Sequence, residues 1–462
     1  MKYIALDVGS SFIKAALLDM TSCKVLEKGK ISTPRKLVNE DKNIFEISAN
    51  LLFEIFKGII DDYAKKYKEI EGVVFSTQMH GFVYTNPNAN KHMEDTYISW
   101  QDSRCLNLIE GEEISYIDKL KEIFPKSEMV NSGVNIKPSL GLCNLYTLLY
   151  GKNDESKSGN LYTLGSYFIN RLTGNNICHI TNAAPLGLVD IVNYTWDEKL
   201  IKKAGFTNIS FPTIAQNDFQ ICGIYKSNGQ SIKIYPDFGD HQVSILGSMA
   251  EKNDIVINIA TASQVSNTLD TFIPGDYETR PFFEGRYMNT ISNMPGGRNL
   301  DVLIDFIKDT VKQITGISIE TDIIWNSILN NFTNDNQDIK VDTAFYPVPY
   351  NMNGGKIDGI KFNNFSLNNV ISAAFNNMAE VYDEHIKILS RSSGVKINKI
   401  VCSGGVSWKI PQLLEIIGNK TKYSINLSPL PDEVFSGLFR IALVCSGINT
   451  CLDDNKELLL KY

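Results

Sequence analysis

The chain opens with two apolar runs on either side of a short turn, in the sequence Lys2-Tyr-Ile-Ala-Leu-Asp-Val-Gly-Ser-Ser-Phe-Ile-Lys-Ala-Ala-Leu-Leu-Asp19. The first run is rich in residues that favour β-strands and ends at Asp7, and the second extends from Ile13 to Leu18. Small residues fill the turn between the two runs. Apolar runs joined by such a turn predict a β-hairpin.

The tip of this hairpin has the composition of an anion-binding loop. Its small residues, Gly9, Ser10 and Ser11, let backbone N–H groups approach a bound oxyanion, and the two hydroxyls add donors. Lys14 can supply a positive charge, and Asp7 can hold a hydrated Mg²⁺. A surface hairpin with a solvated acid fits the same residues equally well, so the rest of the chain has to decide between the two.

Length and composition predict a folded protein of two domains. The 462 residues exceed the size at which a single hydrophobic core usually stops growing, and 43% of them are hydrophobic. A net charge of -7 argues against a nucleic-acid partner, because no basic field would attract phosphate backbones.

The location of the protein is also suggested by its composition. No apolar stretch reaches the length that a membrane crossing needs, and Asp7 interrupts the apolar run at the N-terminus. The eight cysteines are scattered without a C-x-x-C pair, which is typical of free thiols in a reducing compartment. We therefore expect a cytoplasmic protein that does not bind membranes.

Strand-like and helix-like segments alternate along the first half. An amphipathic stretch from Ile47 to Tyr67 predicts a helix, the run from Gly72 to Ser76 predicts a strand, and the segment from Gly159 to Leu172 predicts a second helix that ends before Gly174. This alternation is typical of an α/β domain.

The second half begins with a hairpin of the same kind. An apolar strand, a turn of small hydroxyl residues and another apolar strand follow one another from Asp254 to Leu269. Later, a strand at Ile400 runs into a glycine turn that ends at Val406, and a helical segment follows from Ile410 to Ile417. Two halves that open with such hairpins predict duplicated α/β domains that face each other across a cleft.

Motifs along most of the chain resemble those of the FGGY carbohydrate kinases. They are Asp7-Val-Gly-Ser-Ser11, Ser76-Thr-Gln-Met-His-Gly81, Ser99-Trp-Gln-Asp-Ser-Arg104, Gly239-Asp-His-Gln242, Ile259-Ala-Thr-Ala-Ser263 and Ser403-Gly-Gly405. The opening loop is shared with a wider superfamily, whereas the second and third motifs resemble the sugar-facing part of ketose kinases. The resemblance implies two actin/hexokinase-like, ribonuclease H-type domains with a ligand cleft between them, a sugar-binding domain at residues 1–246 and a nucleotide-binding domain at 247–462.

Two further motifs refine the resemblance. Arg280-Pro-Phe-Phe-Glu-Gly-Arg286 and Pro295-Gly-Gly297 are most similar to the sedoheptulokinase type. They imply ATP- and Mg²⁺-dependent phosphorylation of the terminal hydroxyl of a ketose, with sedoheptulose favoured and xylulose or another sugar or polyol as the alternative. The family also implies a possible homodimer. Ser403 departs from the family, which often has a glycine there.

Asp240 is our candidate catalytic base. A carboxylate at a helix start lies near positive backbone N–H groups, which keep it ionised, so it can accept the proton of the attacking sugar hydroxyl. An aspartate after a glycine is more often an ordinary helix cap, and only the resemblance reverses that preference. We expect Asp7 and Asp240 to come from different halves, to meet at the cleft and together to bracket Mg²⁺.

The resemblance assigns the remaining residues to two sides of the cleft, with Thr261 at the β- and γ-phosphates. The residues expected on the nucleotide side are Gly9, Ser10, Ser11, Lys14, Thr261, Gly296, Gly297, Gly404 and Gly405. Those expected on the sugar side are Gln78, Met79, His80, Trp100, Asp102, Asp240 and His241. Arg104 either orients Asp102 or binds the substrate, and Asn182 receives no role.

A protein of another class can share the opening loop. An actin- or Hsp70-like protein would use the nucleotide to control a partner, but it has no use for a Gln-Met-His-Gly loop that opens onto the phosphates. A silent sugar-binding relative is disfavoured because Asp7, Asp240 and Thr261 are all present.

Overall fold

The computed structural model describes residues 1–86, 95–151, 158–335, 338–346, 348, 351 and 353–454. Within these ranges, no helix is long and apolar enough to cross a membrane. The strands are β1 Lys2–Val8, β2 Phe12–Asp19, β3 Lys24–Ser32, β4 Glu46–Ser48, β5 Ile70–Thr77, β6 Phe82–Thr85, β7 Thr96–Ile98, β8 Gly159–Tyr162, β9 Ile177–Cys178, β10 Val189–Asp190, β11 Thr195–Trp196, β12 Ile209–Ser210, β13 Thr213–Ile214, β14 Gly223–Ser227, β15 Gln230–Gly239, β16 Ile255–Ile259, β17 Ser263–Leu269, β18 Glu278–Pro281, β19 Tyr287–Met294, β20 Lys340–Asp342, β21 Lys356–Asp358, β22 Ile400–Ser403 and β23 Ile425–Leu427.

The helices alternate with these strands. They are α1 Ala49–Lys66, α2 Tyr116–Ile123, α3 Gly141–Gly151, α4 Leu164–Thr173, α5 Ile180–Ala183, α6 Glu198–Lys203, α7 Asp240–Gly247, α8 Gly297–Thr315, α9 Thr321–Asn330, α10 Leu367–Ser393, α11 Gly405–Lys409, α12 Pro411–Thr421 and α13 Glu433–Cys445. Short 3₁₀ turns lie at Arg104–Leu106, Val130–Ser132, Ala184–Leu186 and Phe283–Gly285.

Two six-stranded sheets share a five-stranded topology, and the sixth strand, β14 or β18, is added at opposite edges. The first has the order β14-β15-β5-β1-β2-β3, and the second has the order β18-β19-β17-β16-β22-β23. In each sheet an antiparallel hairpin, β1–β2 or β16–β17, continues into parallel strands, β5 and β15 or β22 and β23. The predicted duplication of α/β domains, each opening with a hairpin, is therefore confirmed.

Both faces of the first sheet are covered, which explains the continuous apolar character of β1. Ile4 and Leu6 pack with α1 and α4 in one core, whereas Tyr3 and Ala5 point into a second core with α7 and α13. Strands that are buried on both faces are apolar at successive positions rather than at alternate ones. The second core also contains Val256 of β16, so it joins the two sheets.

The first predicted helix, the strand after it and the two hairpins are confirmed with small differences in their ends. The prediction of a single helix from Gly159 to Leu172 is wrong over its first residues. Gly159–Tyr162 forms β8, which pairs with β6 and β12, and the helix begins only after Thr163. The Thr163 side chain accepts a hydrogen bond from Ser166 N and so caps α4 at that point.

Helices α7 and α13 lie between the two sheets and pack at unusually short range. A Cβ atom on Gly437 of α13 would overlap the carbonyl oxygen of Val243 in α7, and one on Gly247 would overlap the carbonyl oxygen of Glu433. Helix α13 belongs to the second half of the chain, because it begins nearly two hundred residues after the predicted boundary at residue 247. It nevertheless contacts β1 and β5 of the first sheet. The two halves are thus joined by backbone-to-backbone packing of one helix pair.

This packing predicts a difference between two helical glycines. Gly437→Ala should lower the free energy of unfolding by about 1–3 kcal/mol, because the added methyl forces the helices apart. Gly58→Ala in α1 is the matched control, since a Cβ there would meet no atom within 4 Å, and it should leave stability unchanged or raise it by about 0.5–1 kcal/mol. Urea unfolding measures both, and equal stability of the two variants would contradict the close packing.

Candidate active site

The acidic residues lie where three parallel strands of the first sheet end. In the register of the sheet, Asp7 of β1 is beside Ser76 of β5, and Ser76 is beside Phe238 of β15. Asp240 follows directly as the first residue of α7, after Gly239. Because parallel strands place their carboxyl ends at one edge, Asp7 and Asp240 lie at the same edge of the first sheet, although they are far apart in the sequence. The prediction that they come from different halves is therefore wrong.

Asp240 is half-buried and held in one orientation. Its Oδ1 accepts a hydrogen bond from the backbone N–H of His241 at 2.8 Å. Burial, and then the negative charge of Asp7, raise the pKa of Asp240 to about 7. Tyr97 approaches from another strand: its buried hydroxyl has no hydrogen-bond partner among the described residues, and burial and the charge of Asp240 raise its pKa.

Asp7 is buried beside a lysine. Its Oδ1 accepts a hydrogen bond from Ser76 Oγ at 3.0 Å, and its Oδ2 lies 3.8 Å from Lys14 Nζ. Burial raises the pKa of Asp7 to about 6 even though Lys14 and Ser76 lower it. Lys14 also lies 3.7 Å from Asp432, which precedes α13, so this lysine connects the first hairpin to the second half.

The loop after β5 places two of the expected sugar-side residues against the end of β15. Met79 is buried, and its Sδ would lie 3.1 Å from a Cβ atom on Gly239. His80 has a left-handed backbone with φ of 68°, and its Nδ1 donates to the carbonyl oxygen of Pro185 at 3.1 Å. The side-chain amide of Gln78 is buried without a partner in the described part of the chain.

Arg280 joins the two histidines, and the sequence analysis had not assigned it to the site. Its two terminal nitrogens lie 3.4 Å from His80 Nε2 and 3.3 Å from His241 Nδ1. Burial and the positive charge of Arg280 lower the pKa of His241 to about 3, and burial, Lys137 and Arg280 lower the pKa of His80 well below its ordinary value. Both imidazoles are therefore neutral.

Arg280 is itself held by a buried ion cluster that spans both halves. Its guanidinium donates to Glu278 Oε2 at 2.7 Å, and Lys137 donates to the other oxygen of Glu278. Burial opposes ionisation of Glu278, but Lys137 and Arg280 hold its pKa well below the ordinary value. The backbone N–H of Thr279 also donates to Gly133 at 2.8 Å, so β18 of the second half docks on the first half.

The sequence does not predict that Lys137, Glu278 and Arg280 belong to the site, because no local motif surrounds Lys137 or Glu278. Arg280 did stand in a quoted motif, Arg280–Arg286, but that motif was used only to choose a subfamily. The available signal was an arginine two residues after a glutamate and directly before Pro281-Phe-Phe283, since an arginine that is buried beside apolar residues needs partners.

Asp102 and Arg104 of the third family motif form a structural pair. The Asp102 carboxylate accepts from Phe45 N and from Arg104 at Nε and Nη2, over 2.7–2.9 Å. Its side chain is fully buried, so the expected direct contact with a sugar is not supported by this geometry. Trp100 beside it is 40% exposed. Asn182 is buried and donates to Thr77 and to the carbonyl oxygen of Asp237.

The expected nucleotide side lies at the corresponding edge of the second sheet. A cavity of 720 Å³ opens there, between the hairpin tip after β16 and helices α8, α9 and α11. Thr261, Gly297 and Gly405 line it together with the apolar side chains of Trp325, Leu329 and Ile410. A cavity with small residues at one end and apolar walls at the other suits a phosphate-bearing ring system.

The remaining predicted nucleotide-side residues do not line this cavity. Gly404 has φ of 85° and donates its N–H to Glu433 of α13 at 3.0 Å, and a Cβ on Gly296 would lie 2.8 Å from the carbonyl oxygen of Ala260. Ser10 and Ser11 are exposed at the tip of the first hairpin, and Gly9 closes that turn by donating to Phe12 O at 3.1 Å.

Comparison with known proteins gives a family. A family model described as "FGGY family of carbohydrate kinases, N-terminal domain" matches residues 2–234. Human sedoheptulokinase is 21% identical over 371 residues, which cover 71% of this chain and 73% of that protein. Mouse sedoheptulokinase is 22% identical over 369 residues, again with 71% and 73% coverage.

Solved structures confirm the expected fold. Xylulose kinase from Lactobacillus acidophilus has a TM-score of 0.80 at 18% identity, with 99% of this chain and 91% of that chain covered. Plasmodium falciparum glycerol kinase with ADP has a TM-score of 0.82 at 16% identity, with 99% and 92% covered. The chain therefore has the two actin/hexokinase-like domains that the motifs implied.

Substitutions at two adjacent glycines test whether the nucleotide binds in this cavity. Gly405→Val should weaken binding of an ATP analogue by about ten- to a hundredfold, because the side chain would fill space needed by the ligand. Stability should change little, since a Cβ there meets no atom within 4 Å.

The neighbouring position is the matched control. At Gly404 a Cβ would lie 2.6 Å from the carbonyl oxygen of Ile259, in a left-handed backbone, so Gly404→Val should lower the thermal unfolding temperature. Calorimetric titration and thermal unfolding measure the two effects. Unchanged nucleotide affinity in a folded Gly405→Val variant would show that the nucleotide does not bind in this cavity.

Proposed function

The chain belongs to the FGGY family of carbohydrate kinases, and we propose that it transfers the γ-phosphoryl group of ATP to the terminal hydroxyl of a ketose, with sedoheptulose as the favoured substrate. The observation that carries this proposal is the position of Asp240, which begins α7 between Asp7 on one side and the histidine pair with Arg280 on the other. A group there can meet both a sugar and a phosphate.

Sedoheptulose is favoured by the relatives that share the longest stretch of sequence. The human and mouse sedoheptulokinases each match 71% of this chain, whereas a Bacillus subtilis gluconokinase matches 58% and a Thermococcus onnurineus glycerol kinase matches 55%. The xylulose kinases support only the fold, since their identities are low. Xylulose therefore stays the alternative substrate.

The reaction needs a proton acceptor and a way to hold two reactants in line. Asp240 would accept the proton of the terminal hydroxyl on Oδ2, because His241 N–H already occupies Oδ1. The hydroxyl oxygen then bonds to the γ-phosphorus as the bond to the β-phosphate bridging oxygen breaks, and ADP leaves. Burial and the neighbouring positive charges keep His80 and His241 neutral, and these imidazoles would bind sugar hydroxyls in exchange for their 3.3–3.4 Å contacts with Arg280. Trp100 would cover an apolar face.

The residues at the strand ends fit a Mg²⁺ ion. Burial raises the pKa of both Asp7 and Asp240, and the charge of Asp7 raises the pKa of Asp240 further, which is the arrangement that a divalent cation relieves. No cluster of three or more metal-ligating side chains is found in the described ranges, which agrees with an ion held by one or two carboxylates, water and phosphates. When bound, the ion would neutralise the nucleotide phosphates.

A substitution at the base tests the function directly. Asp240→Asn keeps the shape but removes the proton acceptor, so turnover of the best ketose should fall by about a hundredfold or more. A coupled ADP-release assay with sedoheptulose, xylulose, gluconate and glycerol measures it, and sedoheptulose should have the highest kcat/KM.

The matched control is a true helix cap. Asp197 caps α6 by accepting from Lys199 N and Leu200 N, and Asp197→Asn should keep full activity because asparagine caps equally well. Near-normal turnover in both variants would show that Asp240 only caps the helix and is not the base. A higher kcat/KM for another substrate would contradict sedoheptulose as the substrate but not Asp240 as the base.

The pH dependence follows from the raised pKa of Asp240. Only the ionised carboxylate accepts a proton, so kcat/KM for the sugar should fall about tenfold per pH unit below about pH 7. Arg280→Met should move this fall to higher pH, because the positive charge of Arg280 lowers the pKa of Asp240. Initial rates between about pH 5.5 and 8.5 test this, and a flat wild-type profile would contradict it.

A further inference from the structure

A chain of buried polar groups ends at the residue before Asp240. The backbone N–H of Gly239 donates to Thr181 Oγ1 at 2.9 Å, and Thr181 Oγ1 contacts His179 Nδ1 at 2.7 Å. His179 Nε2 in turn lies 3.0 Å from Asp218 Oδ1. His179 and Thr181 are almost completely buried.

The chemistry of the partners fixes the direction of every hydrogen bond. The ionised Asp218 can only accept, so His179 Nε2 carries the proton. His179 Nδ1 faces two donors, the hydroxyl of Thr181 and its backbone N–H at 3.3 Å, so it is unprotonated. The Thr181 hydroxyl therefore donates to His179 and keeps a lone pair for Gly239. All donors point the same way, and such chains strengthen cooperatively.

The far end of the chain reaches the second half of the protein. The other oxygen of Asp218 accepts from the backbone N–H of Glu284 at 2.6 Å. Glu284 has a left-handed backbone with φ of 56°, and its carboxylate accepts from Leu452 N at 2.8 Å. One connected set of hydrogen bonds thus runs from the loop after β18 to the start of α7.

The end of β15 needs such support because its pairing is irregular. The register between β15 and β5 shifts between Ile234 and Asp237, and shifts of this kind turn the following residues to a new direction. The Asp237 carboxylate is fully buried and accepts from His179 N at 2.8 Å and from Thr163 Oγ1 at 2.6 Å. His179 therefore holds the strand end through its backbone and Gly239 through Thr181.

We propose that Thr181, His179 and Asp218 are positioning residues that fix the backbone of Gly239 and thereby the direction of the Asp240 carboxylate. The inference rests on the proposed function of Asp240 as the base. The Gly239 N–H belongs to the peptide that joins Phe238 to Gly239, which is the last peptide unit before the one that carries Asp240. Loss of its acceptor frees this peptide to rotate and so changes, through Gly239, the direction in which the Asp240 side chain projects, while the sugar and nucleotide contacts stay in place.

Isosteric variants of Thr181 test the proposal. Thr181→Val removes the hydroxyl but keeps the shape, and kcat should fall about ten- to a hundredfold while the KM values for sugar and ATP change by less than about twofold. Thr181→Ser keeps the hydroxyl and should restore kcat. Titration with an ATP analogue counts the folded sites, so that a smaller active fraction is not mistaken for a slower step.

The control is another buried threonine. Thr147 donates only to Cys143 O within α3, and Thr147→Val should leave kcat unchanged. Asp218→Asn is a second variant, at the far end of the hydrogen-bonded chain. One amide oxygen there replaces the two carboxylate oxygens that accept hydrogen bonds, and this variant too should lower kcat without changing the KM values.

Two results would overturn the proposal. One is a normal kcat in Thr181→Val or Asp218→Asn, and the other is an equal loss in Thr181→Ser and Thr181→Val, which would indicate packing. Asp240→Asn measured beside them separates the two claims. An inactive Asp240→Asn with a normal Thr181→Val rejects only the positioning residues, whereas an active Asp240→Asn rejects the base itself.

Discussion

The close contact between α7 and α13 sets the geometry of the cleft. Glycines at 247 and 437 let the two backbones touch, and the pair fills the space between the two sheets. Asp240 begins one of these helices, and Glu433, which holds Gly404 beside the large cavity, begins the other. This helix pair therefore connects the proposed base to the proposed nucleotide site, and we expect a bulkier residue at the contact to change the distance between them.

Charge is divided between two sides of Asp240. On one side Asp7 raises the pKa of Asp240, which suits a cation and the phosphates that it accompanies. On the other side, burial and the positive charges of Arg280 and Lys137 keep His80 and His241 neutral, and Arg280 is itself neutralised in part by Glu278, which suits uncharged hydroxyl groups. The second half contributes Arg280, so sugar recognition in our proposal is shared between the halves rather than confined to the first.

The parts of the structure that depend on local patterns could be predicted from the sequence. Both hairpins could be predicted from two apolar runs that are joined by a short turn. The position of Asp240 at the start of a helix could be predicted because a strand ends at Gly239. The contacts between distant segments could not be predicted, because no spacing shows that Arg280 reaches two histidines or that Asp102 is fully occupied by Arg104. The error at Gly159–Leu172 has a local cause, since β8 is too short to show a period of its own.

The most direct measurement is a crystal structure with the favoured ketose and a non-hydrolysable ATP analogue. The account predicts the terminal hydroxyl within about 2.6–3.2 Å of the free Asp240 oxygen and about 3–3.5 Å from the γ-phosphorus. The nucleotide should occupy the cavity at Thr261 and Gly405, and sugar oxygens should contact His80 or His241. A ternary complex in which the hydroxyl approaches the γ-phosphorus but another side chain accepts its proton would contradict the central claim.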